Sequence, residues 1–386
     1  MSYVWSPLAP SPSGIASYVE TLIAEDPDFE DILFVTEDAA ERDGRNAVAP
    51  EGAVWNDDRA LLQVGNNSYH GYVLERARMG GAVIELHDLS LHHLQTELTL
   101  SRNDFPSYLL ALQESEGEWG RRMAFQRAKG FYTPRLEYYL RTNRALCERA
   151  EAIIVHSKWA RFQLELQGVT KPIYVIPHFA ITSEQCLAQS RTKAEARERL
   201  DLDPDRFTIL APGYVTLEKR LDWILDAFEL MRNEGADVQL VVGGACEMEA
   251  IAERMKQSRH GHAIRVTGYL SAEMMDEYIM ASDILPIMRF PSMGDSSGTA
   301  ARAMGIGRVI AVPEYAAFSD LPDDICEKIH LDRPIVEQLI DTFSLYAESP
   351  GLLSSMEMRA EGYARRHLAL DDQREALKSV LDRHWH

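Results

Sequence analysis

Short apolar runs that end in turn residues recur along the whole chain and alternate with longer stretches compatible with helix. In the first half these runs are residues 3–8, 32–36, 60–64 (ALLQV before GNN), 82–86 (AVIEL before HD), 153–156 (IIVH) and 174–176 (YVI before PH). After a charged, apolar-poor helical stretch at 190–200, the rhythm restarts at 207–211, 238–242, 264–267, 284–287 and 309–312. Such alternation marks βαβ units. Continuous Val, Ile and Leu runs suit strands buried on both faces, which means parallel sheets covered by helices. The pattern predicts an α/β protein of two Rossmann-like, doubly wound parallel-sheet domains facing across a cleft. The first is expected over 1–184, completed by a C-terminal helix at about 366–386, and the second over 185–365. Ligands of open α/β sheets bind beyond the carboxyl ends of the strands, so the residues just after each run carry the functional information.

One stretch breaks the strand rhythm. Residues 89–149 read as a helical insertion rich in aromatic side chains (Phe105, Tyr108, Trp119, Phe125, Phe131, Tyr132, Tyr138, Tyr139), with a local basic surplus at Arg121, Arg122, Arg127 and Lys129. It reads either as helices packed on the sheet with a solvated charged face or as an acceptor-binding or membrane-apposed surface. Residues 371–385 read as a final amphipathic helix.

Composition narrows the partners. The 386 residues carry 40 Lys and Arg against 60 Asp and Glu, a formal charge of −20. Nucleic-acid binders need a basic footprint to displace counterions, so nucleic acid is excluded as the main partner. Four cysteines, Cys147, Cys186, Cys246 and Cys326, show no CxxC spacing and read as reduced thiols of a cytoplasmic protein. Neither a signal-peptide pattern nor an uncharged, predominantly apolar stretch of roughly 18 residues is present. Peripheral attachment at the inner face of the membrane stays open, because an amphipathic surface needs no such stretch.

Candidate chemistry gathers at strand ends. In SPSGIASY, Ser13-Gly14 precedes a helix, and a glycine at such a junction lets an anion meet the first amides. In GDSSGTAARAMGIG, Asp295, Ser296 and Ser297 are N-cap types, Gly298 permits close approach, and AARAM favours helix; the first-turn amides would suit a diphosphate or a sugar hydroxyl. In APGYVTLEKRLDWILDAF, Lys219 and Arg220 follow Pro212-Gly213 and stand before a helix. Two cations oppose the helix dipole there, unless an anion is bound. His87-Asp88 closes the run AVIEL, with His92 and His93 a turn later; His87 suits a hydrogen-bonding role better than zinc binding. Both turns could equally be structural junctions, as could the capped helix and the surface cation pair. Neither GxGxxG nor GxxxxGK[ST] is found, which argues against dinucleotide and P-loop chemistry.

Together these segments resemble the GT-B glycosyltransferases, specifically the retaining family 4 enzymes, over most of the chain. SPSGIASY is similar to their first glycine loop, and VGNNSYH with IELHDLSLHH to a bacterial subgroup carrying GNN and LHD. AEAIIVHSKWAR with YVIPHF resembles the hinge-proximal signature, with His178 where Asn is commoner. GYVTLEKRLDWILDAF resembles the segment bearing the phosphate-binding lysine, and GDSSGTAARAMGIGRVIAV the signature helix. Three positions depart: the family's first signature Glu is matched by Asp295 and its second by Arg302, and Tyr214 occupies the place of an Arg ahead of the lysine, with Arg220 as the nearest replacement.

The resemblance implies an EC 2.4 hexosyltransferase that moves a sugar from a nucleotide-sugar donor to a glycan, lipid-linked or small-molecule acceptor, with retention and without a metal or other cofactor. It implies Lys219, Asp295 and His87 as catalytic groups. Gly14, Gly213, Lys219, Arg220, Ser296, Ser297, Gly298, Thr299 and Arg302 would surround the donor diphosphate. The base would lie against Tyr269 and Leu270, and the acceptor against Asn66, Asn67 and Asp88, with peripheral membrane contact through 89–149. The alternatives are a GT-B nucleotide-sugar epimerase and a non-catalytic or weakly active GT-B protein that binds a nucleotide or a partner.

Overall fold

A computed structural model describes all residues except 1, 12, 38, 40–45, 56–58, 134 and 386. Two compact units emerge. The first comprises Met1–Pro177, Met293–Ser296 and Asp371–His386, and the second His178–Ser292 and Ser297–Leu370.

The first unit is built on seven strands: β1 (Ser2–Trp5), β2 (Ile32–Val35), β3 (Ala47–Val48), β4 (Ala60–Val64), β5 (Val83–Leu86), β6 (Ala152–Val155) and β7 (Ile173–Val175). They pair in parallel in the order β3-β2-β1-β4-β5-β6-β7. Its helices are α1 (Gly14–Val19), α2 (Gly71–Arg78), α3 (His92–Leu98), α4 (Phe105–Ala128), α5 (Leu136–Tyr139), α6 (Arg144–Arg149) and α7 (Lys158–Leu166). The expected helical insertion is thus present as α3 to α6.

The second unit has six parallel strands: β8 (Phe207–Pro212), β9 (Val238–Gly243), β10 (Ile264–Val266), β11 (Ile284–Pro286), β12 (Val309–Pro313) and β13 (Glu327–Ile329). Their order is β10-β9-β8-β11-β12-β13. Alternate residues of the same strands enter two different cores. Leu210, Val241, Leu285 and Ile310 bury on one face, and Ile209, Leu240, Ile284 and Val309 on the other. This two-sided burial is why the runs carry no polar alternation. The covering helices are α8 (Lys193–Arg199), α9 (Leu221–Asn233), α10 (Glu249–Gln257), α11 (Ala272–Ala281), α12 (Gly298–Gly305), α13 (Ile335–Glu348) and α14 (Pro350–His367).

The boundaries differ from the expected ones by a few residues. The first unit ends at Pro177 rather than 184, because Ala180, Cys186 and Ala188 already bury in the second unit's core and the Ala180 amide donates to Leu368 O at 2.7 Å. The final helix, α15 (Leu370–His384), returns to the first unit; Arg374 Nη2 donates to Thr21 O at 2.7 Å, and Lys378 meets Asp26 at 2.9 Å.

Candidate functional site

In the second unit, the carboxyl ends of β8 and β11 open into a recess. Gly213 and Lys219 line it together with Arg289, Ser297 and Thr299. Gly213 turns the chain at φ 82°, where a side chain is strained, and a Cβ there would stand 2.5 Å from Lys219 Nζ. The glycine therefore lets the lysine fold back on the strand end, with its ammonium 3.4 Å from Pro212 O. Burial, aided by the nearby Arg289 guanidinium and opposed by Glu218, lowers the Lys219 pKa from 10.5 to about 7.

The wall opposite is the start of α12. Ser297 caps it, its Oγ accepting from Ala300 N at 3.2 Å. The Gly298 and Thr299 amides have no acceptor within the helix, a property of every first turn. Arg289 follows β11 in the loop IMRFPSM, which is tied to the lysine turn by a bond from Phe290 N to Glu218 O at 2.8 Å. The sequence reading passed over Arg289; a cation directly after a buried strand was the available signal.

Two expected diphosphate ligands are used elsewhere. Arg220, left-handed at φ 50°, pairs with Asp222 through both carboxylate oxygens and lies 3.7 Å over the Trp223 ring, so it does not line the recess. Arg302 grips Asp276 with Nε and Nη2, and the Asp276 carboxylate also accepts from Leu187 N at 2.8 Å. Buried Asp276 needs that cation, which explains an Arg at this position. Tyr269 is 82% exposed, whereas Leu270 packs against the core beside Gly243 at the end of β9. Neither lines the recess. Asp295 and Ser296 group with the first unit, where Met293 O accepts from Ser90 N at 2.9 Å.

At the strand ends of the first unit, Gly14 has open space where a Cβ would be, so no packing within the protein demands a glycine there. The steric demand lies instead at Gly65, where a Cβ would meet Ile15 Cδ1 at 2.4 Å and His70 Nε2 at 2.8 Å. The expected acceptor residues tie neighbouring loops together. Asp88 Oδ2 accepts from Asn66 N at 3.0 Å, Asn66 Oδ1 accepts from Leu94 N at 3.0 Å, and Asn67 Oδ1 accepts from Tyr69 N at 3.2 Å.

His87 is buried and both of its ring nitrogens are engaged. Nε2 lies 2.7 Å from Gln63 Oε1 and Nδ1 lies 3.0 Å from His156 Nε2. Gln63 Nε2 donates to Glu85 Oε2 at 2.7 Å, and Tyr18 OH donates to Glu85 Oε1 at 2.7 Å. Burial, reinforced by the Glu85 charge and hydrogen bond, pushes the Tyr18 pKa far up, which keeps that hydroxyl a donor. Gln63 pairs with Glu85 in register across β4 and β5, placing both on one face of the sheet. The signal for this cluster was legible: ALLQV and AVIEL each hold one polar residue where a doubly buried strand calls for an apolar one.

In the insertion, Trp119, Phe131 and Tyr139 are well exposed. The expected basic surplus is largely engaged, however: Arg121 and Arg122 both pair with Glu118, and Arg127 stacks 3.7 Å over Tyr132 and meets Glu137 at 3.6 Å. Among the described residues no helix is long and apolar enough to cross a membrane.

The model of the family "Glycosyl transferases group 1" matches residues 206–329, the span that holds Gly213, Lys219, Arg289, Ser297 and Thr299. Sucrose-phosphate synthase from Thermosynechococcus elongatus superposes with a TM-score of 0.67 at 14% identity, over 99% of this chain and 98% of that one. HepE from Anabaena, in complex with UDP and glucose, gives a TM-score of 0.70 at 11% identity over 99% of both chains. This chain has the GT-B fold. A glycosyltransferase from Rickettsia africae is similar as well, with a TM-score of 0.66 at 9% identity over 99% of this chain and 97% of that one. No curated protein sequence matches the chain.

Proposed function

We propose that this chain is a glycosyltransferase that moves a sugar from a nucleoside-diphosphate donor to an acceptor hydroxyl, with retention and without a divalent metal, in the cytoplasmic assembly of a bacterial glycan or glycoconjugate. The observation that carries the reading is the Lys219 recess, in which two cations and a capped helix start converge within the segment matched by the glycosyltransferase family. HepE, of the same fold, has been captured with UDP and with UDP-glucose.

The chemistry follows from charge. Departure of a nucleoside diphosphate leaves positive character on the anomeric carbon and negative charge on the β-phosphate, so the required help is electrostatic. Lys219, its pKa lowered to about 7 by burial and by Arg289, takes up a proton as the diphosphate arrives; Arg289 is charged throughout. The first amides of α12 add donors that need no reorganisation. Asp295 accepts from donor-sugar hydroxyls, and the loops carrying Asn66, Asn67 and Asp88 form the acceptor side. A lipid-linked acceptor is the form favoured by exposed Trp119, Phe131 and Tyr139.

The test is release of nucleoside diphosphate from UDP-, GDP- and ADP-sugars, with water-soluble acceptors and with lipid-linked acceptors in anionic vesicles, in the presence and absence of EDTA. Turnover that survives EDTA, a product with the donor's anomeric configuration, and a loss of about 100-fold in Lys219→Ala (about 2.7 kcal/mol) are expected. A variant within about threefold of the parent would refute the role of the recess. Isomerised donor without acceptor would point to an epimerase, and nucleotide binding without turnover to a non-catalytic protein.

A further inference from the structure

The two cations of the recess flank a single backbone hydrogen bond. Phe290 N donates to Glu218 O at 2.8 Å, so Lys219 directly follows the acceptor residue and Arg289 directly precedes the donor. Burial first, and then the Arg289 guanidinium, lower the Lys219 pKa, so the two charges feel each other. Holding like charges side by side costs free energy until an anion is bound. One loop hydrogen bond contributes little against that repulsion.

A row of rings joins the same loops. Trp223, in the first turn of α9, stacks on Phe290 with centroids 6.0 Å apart and planes inclined by 27°. Phe290 in turn meets Tyr315 edge to face at 5.5 Å. Arg220 lies 3.7 Å from the Trp223 ring centre and is anchored by Asp222. These residues follow β8, β11 and β12, so the row ties three strand ends together. Backbone strain sits at both of its ends: Arg220 is left-handed at φ 50°, and Ala316, next to Tyr315, at φ 53°. Such conformations persist where the surroundings over-determine them. At Arg220 the left-handed turn joins the helical turn Leu217–Lys219 to α9, where Trp223 N donates to Arg220 O at 3.1 Å. The Lys219 ammonium thereby returns to the end of β8 while Trp223 reaches Phe290.

We propose that Trp223, Phe290 and Tyr315, with Arg220 over the first ring, are positioning residues that fix the spacing of Lys219 and Arg289 and thereby the affinity of the recess for a diphosphate. The proposal rests on the reading of the recess as the diphosphate site. None of the four residues lines the recess, so they act through the two cations and not on the ligand. It also gives Arg220 a role: the second cation of the Lys219-Arg220 pair serves the site by holding Trp223. Preorganisation of this kind raises affinity because the loops need no ordering when the anion arrives.

The experiment follows the lysine itself. The full chain is labelled with ¹³Cε-lysine, the Lys219 signal is assigned with Lys219→Arg, and its titration is recorded from about pH 5.5 to 11 without ligand. The parent should titrate near 7. In Phe290→Leu and Trp223→Leu the midpoint should rise by about one unit or more towards the ordinary value, as the Arg289 loop moves off and water enters. Trp223→Phe, which keeps a ring in the row, should stay with the parent. Pyrophosphate binding by calorimetry at pH 7 should weaken about tenfold in the two Leu variants and be retained in Trp223→Phe. Trp223 also packs on the core beneath α9, so Phe290→Leu decides if Trp223→Leu fails to fold. A midpoint unchanged in folded Phe290→Leu, or one that shifts as far in Trp223→Phe as in Trp223→Leu, would overturn the proposal. So would a parent lysine that titrates near 10. A parent that binds no pyrophosphate would refute the diphosphate reading instead, while the ligand-free titration still decides whether the rings set the spacing of the cations.

Discussion

Lys219 is expected to destabilise the protein that it equips for binding. Its ammonium is held at a pKa of about 7 against an ordinary 10.5, by burial and by Arg289. Between those values the folded state binds fewer protons than the unfolded state, so stability rises with pH across roughly 7 to 10.5 and is lowest below 7. At 1.36 kcal/mol per decade the full difference of 10.5 − 7 would amount to ~5 kcal/mol, but the side chain is only partly withdrawn from water, and about 2 kcal/mol is the expected share. Lys219→Met keeps the aliphatic stem and removes the charge. In the absence of nucleotide it should raise the second unit's melting transition by about 4–8 °C at pH 7, a gain that fades towards pH 10. Scanning calorimetry from pH 6.5 to 10 reads this directly. A variant no more stable than its parent at pH 7, with a parent transition that does not move with pH, would refute the reasoning. The same substitution should remove nucleotide-induced stabilisation, which makes the residue a case of function held at a cost in stability.

Two further substitutions test the packing that positions the site. Gly65→Ala should lower stability by about 1–3 kcal/mol, read as a fall in melting temperature, because its Cβ would press on Ile15 and His70; Gly14→Ala, with open space at the same atom, should change stability by less than about 0.5 kcal/mol. Arg302→Leu should cost about 3 kcal/mol in urea unfolding by leaving the buried Asp276 carboxylate without its cation, and Asp276→Asn in the same chain should recover part of that loss.

The inner strands were legible in the sequence because each is buried on both faces and leaves an uninterrupted apolar run. Residues 60–64 illustrate this, since their expected and observed limits coincide. The edge strands β3 and β13 were not legible. Ala47–Val48 is two residues long and half-buried, and Glu327–Ile329 is mostly polar; a strand with one neighbour needs no such run. Site residues divided in the same way. Lys219, Gly213, Ser297 and Thr299 line one recess because a strand end and a helix start fix their positions by local rules. Arg220 and Arg302 do not line it, because their partners, Trp223 with Asp222 and Asp276, are chosen by packing that no local pattern records. Glu85 and Gln63 were visible as polar residues inside apolar runs, but their meaning depended on which face each occupied.

The chain passes from one unit to the other at four places: after Pro177, after Ser292, after Ser296 and after Leu370. A single cut therefore cannot release either unit whole. Ending the chain after Leu370 would strip from the first unit the helix whose Arg374 and Lys378 hold the 21–28 segment. An exchange of the second unit between proteins of this architecture would have to be a cassette of two inserts, 178–292 and 297–370, that leaves Met293–Ser296 and α15 with the recipient. Because Asp295 stays behind in such an exchange while Ser297, Gly298 and Thr299 travel, the chimera would split the signature helix from the carboxylate that precedes it. Activity in the hybrid would then depend on a seam one peptide bond wide.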